Sequence, residues 1–209
     1  MPGEFETRER ITEHARERFL QHGFSKVTVD ELSSDLGMSK KTFYKFFPSK
    51  EELLRTIVYS LMKGMEREME RIENSDKPFV ERIADVMVLL GKNVGRISRA
   101  FQLDIQRFAP ALWKEVEAFR RDRIIARMGR MILKAREEGI FRKEINEVIL
   151  VHMLLHSIQG IVNPEFLTQQ SFSLNEAFRT IFKTLFEGAL TDEAREHFHT
   201  FDQPLTTTS

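Results

Sequence analysis

Residues 28–50 read TVDELSSDLGMSKKTFYKFFPSK, and most of these positions have a definite local role. Thr28 is a good N-cap, and Glu31, three residues on, completes a capping box. Val29, Leu32 and Leu36 follow as one apolar stripe at helical spacing. Gly37 stands just past the last periodic residue, where a helix commonly ends in a left-handed conformation, and Ser39 can cap a second helix. Two short helices around a four-residue turn containing Gly make a helix-turn-helix. Pro48 stops the second helix, and Ser49 with Glu52 forms another capping box that starts a third.

The second helix carries the chemical signal. Phe43, Phe46 and Phe47 fall on one side at i, i+3 and i+4 and are expected to pack inward. Lys41 and Lys45 then point away from that side, with Thr42 and Tyr44 on the flanks and Lys40 in the first turn. Between Gly37 and Lys50 stand Lys40, Lys41, Lys45 and Lys50, with no acid among them. A short lysine-bearing helix flanked by hydroxyls suits the DNA major groove, lysines meeting phosphates or guanine edges and Thr42 and Tyr44 meeting backbone or bases. The candidate DNA-binding residues are therefore Thr28, Ser39, Lys40, Lys41, Thr42, Tyr44, Lys45 and Lys50. The plainer alternative is a surface helix whose lysines only keep it soluble.

Residues 8–60 resemble the DNA-binding domain of the tetracycline-repressor-like (TetR-like) family of bacterial transcriptional regulators. Ala15, Phe19, Gly23, Phe24, Thr28, Val29, Leu32, Gly37, Ser39 and Thr42 carry the likeness, with the run from Phe43 through Pro48 to Leu53 as its most specific part. Two departures stand out. The family often has a phosphate-contacting His where this chain has Phe46, so no contact is carried onto Phe46. It also often has Ala where Ser33 and Ser34 stand, residues small enough to preserve the packing.

Composition agrees with a locally charged site rather than a basic coat. Lys plus Arg equals Asp plus Glu at 32 each, so the net charge is zero and DNA affinity must come from placed charge. An apolar content of 41 %, with 10 % aromatics, supports a real core in 209 residues. With no cysteine, thiol catalysis and thiolate metal sites are excluded, and a reducing, cytoplasmic setting is expected. The first twenty residues hold four arginines and five glutamates, unlike a signal peptide, and no apolar run is long enough for a membrane span.

The rest of the chain reads as an all-α protein. A first helix over 7–22 packs Ile11, Ala15, Phe19 and Leu20 on the helix-turn-helix and ends at Gly23, residues 1–6 being loose. A long helix from Ser49 to about Asn74 carries an apolar stripe that outlasts a three-helix domain by several turns, as a connector would. After the break at Asn74–Pro78, helices are expected over 78–93, 97–107, 110–138, 144–163 and 174–190, the third stopping at Gly139 and the fourth at Pro164. The expected organisation is a helix-turn-helix DNA-binding domain (1–50), connector helix and linker (51–77), effector-binding and dimerisation domain (78–190) and a fraying tail (191–209).

Most large apolar residues of that second domain are expected to be core, but some can line a cavity for an adaptable apolar guest. The resemblance implies such a cavity among the helices after the connector, holding an inducer or co-repressor. Its wall candidates are Met62, Met65, Phe101, Ile105, Phe108, Trp113 and Val116, with Gln102 or Asp104 as polar anchors. Ile149, Met153, His156 and Gly160 share one helical face, as do Phe178, Ile181, Leu185 and Gly188. Helices 144–163 and 174–190 are therefore the expected homodimer interface, a use the resemblance also implies, setting two reading helices over a pseudo-palindrome. His152 and His156 are four apart but lack the neighbouring carboxylate of a His-Glu-x-x-His site, so no metal or cofactor is expected. No phosphate loop or nucleophile elbow appears, and the chain is not expected to be an enzyme. The leading expectation is a ligand-responsive DNA-binding repressor; the alternatives are a constitutive regulator without effector and a helical metal-dependent enzyme at His152 and His156.

Overall fold

Apolar residues spaced by three and four become helices throughout the computed structural model, which describes residues 3–96, 98–161, 166 and 169–199. They are α1 (Glu4–His22), α2 (Val29–Asp35), α3 (Lys40–Phe46), α4 (Lys50–Glu73), α5 (Phe79–Arg96), α6 (Arg99–Phe108), α7 (Pro110–Phe119), α8 (Ala126–Glu137), α9 (Glu147–Ile161), α10 (Leu174–Ala189) and α11 (Asp192–His199). Among the described residues no strand forms beyond an isolated antiparallel bridge between Phe141 and Leu190. The fold is all-α, as the sequence pattern predicts.

Three local results differ from the sequence expectations. The first helix begins at Glu4, so half of the end expected to be loose, residues 4–6, is helical. The single helix expected over 110–138 passes through a π-helical segment, Arg120–Ile125, between α7 and α8. Residues 192–199, expected to fray, form α11, with the Thr191 hydroxyl accepting from the Ala194 amide at 3.4 Å. Pro164, Phe178's side chain and residues 200–209 lie outside what the structure describes.

The chain divides into two compact units interleaved in sequence: Met1–Met69 with Leu89–Arg120, and Glu70–Val88 with Arg121–Ser209. The first unit has a core of Ile11, Ala15, Phe19, Phe24, Val27, Leu32, Phe43, Phe47, Leu53, Leu54, Ile57 and Val58, closed by Phe101, Ile105 and Leu112 from α6 and α7. Each such side chain taken from water contributes roughly 1.5–3 kcal/mol, which is why α6 and α7 belong with the helix-turn-helix. Backbone geometry tightens the same junction. Gly23 ends α1 at φ +87°, and a Cβ there would lie 2.7 Å from the Asp104 carboxylate. That carboxylate accepts the Ser25 amide at 2.7 Å, and the Ser98 amide donates to the Leu20 carbonyl at 3.1 Å.

A second network in this unit joins α4 to α7. Arg55 Nη1 donates to Glu115 Oε1 at 3.0 Å and to the Tyr59 hydroxyl at 2.8 Å, while that hydroxyl donates to Glu115. The hydrogen bond from Tyr59, then that from Arg55, holds the Glu115 carboxyl below its ordinary value, and the carboxylate in turn raises the Tyr59 phenol.

The second unit has its own aromatic centre. Phe141 packs edge-on to Phe79 at 5.2 Å and beside Phe186 at 5.7 Å, with Met128, Ile132, Val151 and Leu154 also buried. Arg136 ties α8 to α9, donating to the Ile145 carbonyl at 3.1 Å and to Glu147 at 2.9 Å.

Candidate nucleic-acid interface

The helix-turn-helix is built from the caps of its two helices. The Thr28 hydroxyl accepts the Glu31 amide at 3.2 Å while Glu31 accepts the Thr28 amide at 2.7 Å, so the predicted capping box closes α2. These hydrogen bonds also lower the Glu31 carboxyl's pKa, the backbone amide of Thr28 contributing most. At the other end Gly37 takes φ +64°, and the amides of Gly37 and Met38 donate to the carbonyls of Ser34 and Ser33. Ser39 then starts α3, its hydroxyl 3.0 Å from the Thr42 amide and 2.9 Å from the Thr42 hydroxyl.

Seven residues make α3 about 10 Å long. Phe43 and Phe47 fix it to the core and are fully buried, whereas Phe46, expected inward with them, is only half-buried at the edge. On the opposite side Lys41, Tyr44 and Lys45 are exposed, and Tyr44 stands edge-on to Phe43 at 5.6 Å.

The four lysines have three kinds of surroundings. Lys40 pairs with Asp30 at 2.5 Å, and Lys45 with Glu4 at 2.5 Å. Among the described residues Lys41 meets no carboxylate, which leaves its ammonium free for an incoming anion. Lys50, expected to seek phosphate, turns inward: its Nζ donates to the carbonyls of Phe24 and Val27 at 2.8 Å each, over the Phe24 ring. Burial pushes its pKa down from the ordinary lysine value. Thr28, Asp30, Lys40, Tyr44, Lys50 and Glu51 are among the residues that line one open hollow at the starts of α2 and α4.

The structure does not gather the effector candidates around one described cavity. Phe101 and Ile105 are buried in the helix-turn-helix core, with Met62, Trp113 and Val116 packed partly buried against it. Asp104 is committed to the Ser25 amide. Met65 is half-buried, and Gln102 and Phe108 are exposed. On α9, Ile149, Met153, His156 and Gly160 are all exposed, as the shared face requires; on α10, Ile181 is buried within its own unit and Gly188 is exposed. The His152 and His156 rings stack at 5.8 Å, and among the described residues no group of three metal-ligating side chains occurs.

Two contacts on α3 escaped the sequence reading. Arg8 Nη1 donates to the Phe46 carbonyl at 2.7 Å with its guanidinium 4.2 Å from the Phe47 ring centroid, and Glu4 reaches Lys45. The partners stand 38 and 41 positions apart, beyond the reach of helical spacing, so no local signal announced them.

A capped two-turn helix, seated by phenylalanines and presenting lysine and tyrosine outward, defines a DNA-binding protein of the helix-turn-helix class. Residues 11–57 match the family model described as bacterial regulatory proteins, tetR family. Over 83 % of its length the chain is 26 % identical to 90 % of the HTH-type transcriptional regulator YvaF of Bacillus subtilis. A transcriptional regulator from Saccharomonospora viridis, solved in complex with choline, superposes with a TM-score of 0.76 at 19 % identity, covering 90 % of this chain and 100 % of that one. SmeT, the repressor of the Stenotrophomonas maltophilia multidrug efflux pump SmeDEF, does so at 0.65 and 20 %, covering 90 % and 92 %; it has also been solved with triclosan. Residues 11–57 thus carry a DNA-binding domain of the tetR-family kind, and over most of its length the chain is similar to proteins described as transcriptional regulators.

Proposed function

We propose that this regulator acts in the cytoplasm as a homodimeric repressor, released from a pseudo-palindromic operator when a small apolar or amphipathic molecule binds. The observation that carries the DNA half is the outward face of α3, where Lys41 and Tyr44 stand exposed over a helix fixed by Phe43 and Phe47. Thr28, Ser39, Lys40, Thr42, Lys45 and Lys50 complete the proposed surface, Lys50 by holding the turn before α2 rather than as a free cation. Pairing of two copies through α9 and α10 is supported by the exposed apolar row Ile149 and Met153 beside Gly160. A two-fold pair would meet half-sites about 34–36 Å apart, or a multiple of that.

For the effector, Met62, Met65, Trp113 and Val116 offer half-buried apolar surface in one unit, and similar folds hold choline and triclosan. Ligand and DNA would weaken each other reciprocally, because each favours a different state of one equilibrium. A second reading, a constitutive regulator without effector, is favoured by Phe101 and Ile105, which are spent on the helix-turn-helix core instead of a cavity wall. Selection of bound duplexes from a random pool tests the DNA half: an inverted repeat is expected, and no enrichment or a lone half-site overturns it. Displacement of the selected duplex by a panel of apolar amines and phenols separates the two readings.

A further inference from the structure

The first turn of α1 is fastened to the DNA-reading helix. Glu4 and Arg8 lie one turn apart on one face of α1. Arg8 grips the end of α3, where unpaired carbonyls carry partial negative charge, through the Phe46 carbonyl and the face of the Phe47 ring. That grip sets Glu4 beside the preceding residue, and its carboxylate accepts from Lys45 Nζ at 2.5 Å. Lys45 is 64 % exposed and Glu4 77 %, so the pair lies open on the side of α3 that would face a duplex. The hydrogen bond from Lys45 also lowers the Glu4 carboxyl's pKa, keeping the competing anion charged down to acid pH.

We infer that Glu4 is a built-in competitor for DNA phosphate at Lys45: its carboxylate occupies the lysine in the free protein, and a duplex must displace it before that cation can be used. The inference rests on DNA reading by α3. A phosphodiester carries the same single negative charge as the carboxylate and also offers two terminal oxygens as charge-assisted acceptors, so the two compete for one ammonium. The exchange involves no base, so Glu4 lowers affinity for matched and unmatched duplexes alike and leaves their ratio untouched. Asp30 holds Lys40 in the same manner at 2.5 Å, so two of the cations on α3 are already paired within the chain.

The test is fluorescence anisotropy with the full chain, a duplex recovered by random-pool selection and a scrambled duplex of equal length. Glu4→Gln should tighten both duplexes by a similar factor, about two- to fivefold at ~50 mM salt, and the gain should vanish as salt screens the pair. In a Lys45→Gln background the same change should do nothing. An unchanged or weakened affinity for Glu4→Gln overturns the inference, as does a gain that survives loss of Lys45. If the parent binds neither duplex, DNA reading by α3 fails with it; if the parent binds and Glu4→Gln is silent, only the competitor role fails.

Discussion

Lys50 Nζ donates to the Phe24 carbonyl at 2.8 Å and lies 4.2 Å from the centroid of the same residue's ring. A second hydrogen bond of equal length reaches Val27, so one lysine fastens the start of α4 to the whole turn between α1 and α2. Lys50→Met keeps the stem and removes the donors. Leaving two part-buried carbonyls short of a partner should cost about 1–3 kcal/mol, read as a lower urea midpoint with an unchanged slope. A midpoint equal to the parent's, with DNA affinity lost, would make Lys50 a phosphate contact instead.

Gly23 stands at φ +87° and ψ 158°, a region open essentially to glycine. Gly23→Ala should destabilise by roughly 1–3 kcal/mol from backbone strain, and its methyl group should also press on Asp104. Urea unfolding of the double variant with Asp104→Ala checks the geometry: the two losses should be less than additive. Full additivity would mean that the methyl group and the carboxylate do not meet.

The Tyr59–Glu115 bond gives a pH test whose sign differs at the two limits. Glu115 titrates below its ordinary 4.5 in the folded chain, so its stabilisation is present above that value and lost as pH falls through the folded one. Tyr59 titrates above its ordinary 10.0, so its share is present below that value and lost as pH rises through the folded one. Tyr59→Phe should abolish the alkaline loss and shrink the acid one, since Arg55 alone then holds Glu115. Thermal midpoints by circular dichroism across both windows decide it; parallel profiles for parent and variant would deny the network any role.

Much of the DNA-reading unit was legible because its signals are local. Thr28, Glu31, Gly37 and Ser39 each act on backbone groups within four residues, so spacing alone announces them. Phe43 and Phe47 were legible by period, and so was Phe46, which packs against the same core from its edge, although period alone did not say that it stays partly exposed. Long-range partnerships escaped for a common reason. Periodicity says that Phe101 and Ile105 are buried without saying against what, and a count of lysines treats them as equally solvated. Glu4, Asp30 and the two carbonyls at Lys50 could be found only in three dimensions. Helix α11 was missed although Thr191, Asp192 and Glu193 form an ordinary helix start.

Ile149 is 59 % exposed on α9, together with Val148 and Met153, and a contiguous apolar row of this kind marks an interaction surface. Ile149→Glu should leave helicity and the unfolding midpoint within ~0.5 kcal/mol of the parent, as surface changes do. In sedimentation it should convert a two-copy particle into single copies. A variant that remains paired would move the interface away from α9.

The central claim, that the outward face of α3 reads DNA, is tested most directly by titrating parent and Lys41→Ala against a selected duplex and its scrambled counterpart at fixed moderate salt. The parent should favour the selected duplex by at least about a thousandfold. Lys41→Ala should weaken binding to the selected duplex by roughly 1–3 kcal/mol if a base contact is lost. A folded parent that binds both duplexes equally, or a Lys41→Ala variant indistinguishable from it on both, would contradict the account.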